Sequence, residues 1–229
     1  MIAGFISLTA TLVVYILAKR AYSAKKMFWL SPLLVTPAAL VVLLIFTHTS
    51  YETYNSGGKW LSYMLSPATV AFAIPLYKHY PLIKKHASQI LISVLAGAAV
   101  AAVSSALMAF VLHLNPQIVY SLVPRSVTTP IAMDVSEWIG GIPTITAVFV
   151  ILTGILGSAI GPAIIRLFRI KDDVARGVLL GTSAHGAGTS KAFEFSSLAG
   201  TVSSVSMIIA ALVTLFLTPS VFMMIDPFL

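Results

Sequence analysis

The chain contains no cysteine and only 7 acidic residues among 229. The first absence excludes disulfides and thiolate metal sites. The second belongs to a general scarcity of charge: 9% of residues are charged, against about 25% in ordinary soluble domains. Such a surface cannot solvate itself in water, and a soluble protein this apolar would expose large sticky patches. Catalytic signatures are missing as well. Gly181 to Gly186 has the spacing of a phosphate loop, but no Gly-Lys-Ser/Thr follows. His185-Gly186-Ala187-Gly188 is similar to an esterase oxyanion loop, yet no Gly-x-Ser-x-Gly elbow exists. The histidines at 48, 79, 86, 113 and 185 lie far apart and show no metal-ligand spacing. No enzyme activity, cofactor or metal is expected.

What the chain has instead is apolar length. Hydrophobic residues make up 58%, and the mean hydropathy is +0.97. Runs that could cross about 30 Å of hydrocarbon are Ile2–Ala18, Leu30–Thr47, Leu61–Tyr77, Ile90–Leu114, Ile142–Phe168 and Val202–Met224. The net charge of +7 is placed between these runs. Lys19, Arg20, Lys25 and Lys26 follow the first, Lys78, Lys84 and Lys85 the third, and Arg166, Arg169, Lys171 and Arg176 the fifth. Basic clusters between apolar spans mark cytoplasmic loops, whereas a nucleic-acid surface would gather its charge on one soluble face. No nucleic-acid partner is expected; the lipid bilayer is. Because the first basic cluster follows its apolar run, that run reads as a retained span and not as a cleavable signal.

The charges also fix a path. With the N-terminus outside, span four ends outside and span five must begin there. Residues 115–141 therefore enter and leave from the outer face. By the same argument residues 172–200 enter and leave from the inner face. Both segments are too short to cross twice and read as re-entrant, broken-helix hairpins. At an offset of 59, Ser126 lies over His185, Gly141 over Gly200, Thr144 over Ser203 and Val148 over Met207. Opposite entry faces and this weak likeness suggest an inverted repeat of the kind many transporters use. The expected fold is an all-α polytopic membrane protein with about six full spans and two re-entrant hairpins. It forms one membrane domain over 1–229, with peripheral helices in 1–60 and the core in 61–229. A six-helix bundle with two surface loops is the plainer alternative.

The first hairpin tip is Pro124-Arg125-Ser126-Val127-Thr128-Thr129-Pro130. Its β-branched residues and the position before proline favour extended backbone, with Thr129 capping a helix that opens at Pro130. The second tip runs from Gly181 to Lys191, where Gly186 and Gly188 allow positive φ or close approach and Thr189 or Ser190 can cap the next half-helix. Non-helical backbone at membrane depth persists only against protein or a wet cavity. A half-helix beginning there aims N–H groups at an anion. Arg125, Ser126, Thr128 and Thr129 from one tip, with His185, Gly186, Gly188, Thr189, Ser190 and Lys191 from the other, are the expected anion-binding residues. Each has a simpler alternative. Arg125 can snorkel to lipid phosphate, Lys191 can pair with Glu194 on one helix face, and His185 can be a hydrogen-bonded core histidine. Gly157-x-x-x-Gly161, and the row Gly97, Ala101, Ser105 and Ala109, read as helix-packing seams.

Several blocks, in order and with matching spacing, resemble the bacterial LrgB/CidB family. They are Gly57-Gly58 with Leu61, Ser66 to Ala71 with Pro75-Leu76-Tyr77, and Pro124 to Met133. Further along come Gly140 to Pro143 with Thr146 to Phe149, Thr153-Gly154-Ile155, and His185-Gly186 with Gly188-Thr189, Ala192, Glu194 and Gly200. The likeness covers roughly 55–210. Arg125 stands where the family usually has lysine and Lys191 where it usually has arginine; charge is kept, but lysine lacks arginine's bidentate fork. The resemblance implies either of two functions, of which the broken-helix tips favour the first and leave the second as the alternative. One is carriage of small monocarboxylates (pyruvate, glycolate, glycerate, lactate), as in a related plastidial glycolate/glycerate transporter. The other is holin- or antiholin-like control of murein hydrolase export and cell lysis. It also implies a bacterial cytoplasmic membrane location; the basic clusters put both termini outside, and the apolar outer spans with small-residue seams suggest assembly as a homo-oligomer or with a small LrgA/CidA-like membrane protein.

Overall fold

The computed structural model describes residues 2–25, 27–64, 67, 70–71 and 73–225. Among them every regular element is a helix. The α-helices are α1 (Ile2–Ala24), α2 (Pro32–Phe46), α3 (Tyr51–Tyr63), α4 (Ala73–Lys78), α5 (Tyr80–Lys85) and α6 (Ala87–Val111), then α7 (Pro116–Leu122), α8 (Thr129–Trp138), α9 (Pro143–Leu167), α10 (Asp173–Phe195) and α11 (Ser197–Ile225). Short 3-10 turns occupy Phe28–Leu30 and Val123–Ser126. The chain divides into two units, Met1–Ala73 and Ile74–Leu229.

In the first unit α1 packs on α2 and α3. The helix runs six residues past the expected Ala18, because the long stems of Lys19 and Arg20 reach water without the backbone having to end. α2 begins at Pro32, a residue suited to a first turn, and is 15 residues long. α3 is the polar member. Ser50 caps it by accepting the N–H of Thr53 at 3.2 Å, and the hydroxyls of Tyr54 and Thr11 on α1 meet at 3.0 Å. The expected third span, Leu61–Tyr77, includes Leu65, Ser66, Ala68, Thr69 and Phe72, which lie outside the described residues.

The second unit is built on α6, α9 and α11, of 25, 25 and 29 residues. Among the described residues four helices are long and apolar enough to cross a membrane: α1, α6, α9 and α11. α2 is a shorter apolar helix. Their exteriors are oily and their interiors small or polar. Ile92, Val103, Ile151 and Phe216 face outward, while Ser105, Thr146, Thr201, Ser203 and Ser206 are buried. That inversion of the soluble pattern suits lipid outside and close helix contact inside. The chain is an all-α, multi-pass membrane protein.

Three helices share one kind of ending. His48, His113 and Arg169, just past α2, α6 and α9, take φ of 49°, 51° and 53°. The next N–H then reaches back to a carbonyl five residues earlier, at 3.0 Å from Thr49 to Leu44, 3.1 Å from Leu114 to Ala109 and 2.9 Å from Ile170 to Ile165. This is the left-handed helix stop that glycine usually supplies, made here by residues able to carry positive charge at the negative helix end.

Candidate functional site

Between α6 and α9 the chain folds in and out as α7, the 3-10 turn at Val123–Ser126, and α8. Pro116 and Pro124 start the first two pieces, and Val127 is extended at φ −120°, ψ −175°, so the helix cannot run through. Hydroxyls tie the hairpin to α9. Ser121 Oγ accepts the N–H of Ile142 at 2.7 Å, and Thr146 Oγ1 donates to Ser136 Oγ at 2.7 Å. The cap of α8 is Thr128, one residue before the expected Thr129, and Pro130 takes the second helical position.

Between α9 and α11, α10 makes the second hairpin with a single broken residue. His185 adopts φ 39°, ψ −124°, dividing α10 into 173–184 and 186–195. This conformation is costly for a non-glycine residue. The expected glycines do not provide it: Gly186 has ordinary φ and open space about it. Gly188 serves close approach instead, since a Cβ there would collide with the carbonyl oxygen of Leu180 on the other half. His185 is held by its ring, whose Nε2–H donates to the carbonyl of Val150 at 3.0 Å. The glycine seam on α9 receives this hairpin, Gly154 facing His185, Gly157 facing Ala184 and Gly161 facing Leu180. The seam is thus used within the chain.

Contacts along α9 show how deep each hairpin goes. From one end of α9, Ser136 lies by Thr146, Val127 clusters with Val150, and Arg125 reaches Thr153. From the other end, Leu180 lies by Gly161, Ala184 by Gly157, and His185 by Val150. Both breaks therefore meet α9 on the turn from Val150 to Thr153. Thr153 is about ten residues, or roughly 15 Å, into a helix of 25 residues. For about 30 Å of hydrocarbon that is close to the midplane. The two hairpins enter from opposite ends and meet near the middle.

Arg125 is the charge at that meeting point. It is half-buried, its Nη1 lies 3.5 Å from Thr153 Oγ1, and no acid pairs with it among the described residues. Its side chain borders two clefts. The larger, about 550 Å³, is lined chiefly by the apolar face of α9 with Thr153 and Ser183. The smaller, about 370 Å³, is more hydroxylated, with Ser93, Ser126, Thr182 and Ser183 around Arg125. Thr182 Oγ1 is buried and has no hydrogen-bond partner among the described residues. A guanidinium beside the hydroxyl-bearing residues Ser93, Ser126 and Ser183 is suited to an anion that accepts from them.

The other expected residues are dispersed. Thr128 and Thr129 are half-buried and border neither cleft. His185 is a hydrogen-bonded core residue. Thr189 is buried on Ser203 Oγ at 2.9 Å, and Ser190 donates to the Gly186 carbonyl at 3.2 Å, so neither caps a half-helix. Lys191 is not at the tip. The helix resumes at Gly186, which carries Lys191 about 9 Å back toward the basic end of α9. There it pairs with Glu194 at 2.7 Å and borders a third cleft with Pro162 and Arg166. Pro162 lies nine residues beyond Thr153, two and a half turns, which places it on the opposite side of α9. Arg125 and Lys191 thus border different clefts. Thr153 and Thr182 were not among the expected residues, although both stand in the stretches singled out by motif.

The model of the LrgB-like family matches residues 11–224. The protein YwbG of Bacillus subtilis is 60% identical over 219 residues, covering 96% of this chain and 97% of the relative. YxaC of the same organism is 37% identical, with 95% of each chain covered. The antiholin-like protein LrgB of Bacillus mycoides is 33% identical, with 94% of each covered. No solved structure matches.

Proposed function

Given that the chain belongs to the LrgB-like family, we propose that it acts in an antiholin-like capacity and that the molecular step beneath it is passage of small monocarboxylate anions past Arg125. The name of the antiholin-like relative from Bacillus mycoides supports the first half and says nothing of transport. The transport half rests on one observation: an arginine with no acidic partner among the described residues, beside the middle of a membrane-length helix, borders a cleft with Ser93, Ser126 and Ser183. A desolvated cation in that position is costly unless an anion comes to it. Clefts of this size suit a small ligand, and one guanidinium suits one carboxylate. Pyruvate, glycolate, glycerate and lactate each combine such a carboxylate with an oxygen that can meet Ser126 or Ser183. The substrate passes unaltered, with no catalytic step and no cofactor.

On this reading the chain sits in a bacterial cytoplasmic membrane with both termini outside, as its basic clusters favour. It works as a homo-oligomer or beside a small LrgA/CidA-like protein. The deciding test is uptake of labelled pyruvate, glycolate and lactate into proteoliposomes, with the protein alone and with that partner. Arg125→Ala should lower uptake roughly ten- to hundredfold, the loss of one charged hydrogen bond of about 1.5–3 kcal/mol. If Arg125→Ala transports at the wild-type rate, the carboxylate path is wrong. If it also still restrains murein hydrolase release in cells, the antiholin-like role stands without transport.

A further inference from the structure

The third cleft, about 280 Å³, lies between the end of α9 and the returning half of α10 and is bordered by Pro162, Arg166, Lys191, Glu194 and Phe195. We propose that it binds the phosphate of an anionic membrane lipid, and that Lys191 belongs to this site and not to the one at Arg125. Arg166 spends its Nε–H on the Pro162 carbonyl at 3.3 Å. Its two Nη groups meet no acceptor among the described residues, and no acid pairs with it there. A guanidinium fixed by one nitrogen keeps its remaining N–H donors for a phosphate. Lys191 is held over the same cleft by Glu194, so the second cation is oriented as well.

Depth favours lipid over a free anion. Arg166 is in the last turn of α9, and the next two residues, Leu167 and Phe168, are 77% and 71% exposed. Large apolar side chains beside cations at a helix end belong where acyl chains meet headgroups. Arg169 and Lys171 are exposed on the same connection and raise the local potential for any anionic surface. Behind the cleft, the guanidinium of Arg176 lies 5.4 Å from the centre of the Phe195 ring and pairs with Asp173 at 3.0 Å, which stiffens that wall.

The test is thermal unfolding of the purified full chain in neutral detergent with added phosphatidylglycerol, phosphatidylcholine or inorganic phosphate. Phosphatidylglycerol should raise the midpoint by roughly 5 °C near saturation; the other two should not. Arg166→Gln and Lys191→Gln should each remove most of that rise, whereas Arg169→Gln with Lys171→Gln should keep most of it. Arg125→Gln should keep the lipid response while losing carboxylate uptake, and Arg166→Gln should do the reverse in proteoliposomes. A rise that survives both Arg166→Gln and Lys191→Gln overturns the site. An equal rise with inorganic phosphate overturns the lipid assignment. Should the carboxylate path itself fail, the lipid response is unaffected, so the two ideas fall separately.

Discussion

The two hairpins break their helices by different means. The first uses sequence that cannot be helical: two prolines, a 3-10 turn, and an extended Val127, spread over several residues. The second is helical up to a single strained residue, His185, and helical again at once. A spread-out break leaves room for a charged side chain at its tip, and Arg125 occupies it. A one-residue break leaves none, so the cation of the second hairpin is carried along the helix to another cleft. One kind of break exposes chemistry; the other positions a wall.

If the second break depends on backbone contact, Gly188→Val should be the most damaging change. The added side chain meets the Leu180 carbonyl, and a loss of about 3 kcal/mol or more is expected. Thermal unfolding in detergent and the yield of inserted protein measure it; a normally stable variant would mean the two halves of α10 do not lie so close. Next is His185, where two substitutions separate anchor from strain. His185→Ala loses the bond to Val150 and keeps the unfavourable φ. His185→Gly loses the same bond and relieves the φ, and should be more stable than the alanine variant by about 1 kcal/mol. The reverse order, usual in helices, would show that His185 is not strained.

The first break should answer differently. Thr182→Val takes away a buried hydroxyl that bonds nothing, so stability should hold or rise by up to about 1 kcal/mol. Uptake should stay near the wild-type rate, because that oxygen is not open to the cleft; denaturation and proteoliposome assays read the two together. The smallest effect belongs to Lys191→Ala. It breaks a partly exposed ion pair of about 0.2–1 kcal/mol, and a double-mutant cycle with Glu194→Ala should return a value in that range.

The sequence was most legible where periodicity was not needed. Apolar length and the placing of lysines and arginines are sufficient for α1, α6, α9 and α11, and for two segments that return to the face they leave. The prolines and β-branched residues of 123–130 locate the first break to within a residue. The second was blurred because glycine marks permission and not conformation: Gly186 and Gly188 allowed a break anywhere between them. The residue that takes the positive φ is the histidine before them, held by a carbonyl 35 positions away. A break at His185 places Lys191 nearly two helical turns from the tip, where it borders a different cleft from Arg125. Thr182 was invisible for a related reason. An unsatisfied hydroxyl is a property of neighbours that fail to arrive, and no local pattern records it.

The turn from Val150 to Thr153 has one more consequence. It is a single hub on which the His185 ring of one hairpin and the guanidinium of the other both rest. Groups that share a support do not contribute independently. The combined loss from His185→Ala and Arg125→Ala should therefore depart from the sum of the single losses by about 0.5–3 kcal/mol, although neither side chain is bonded to the other.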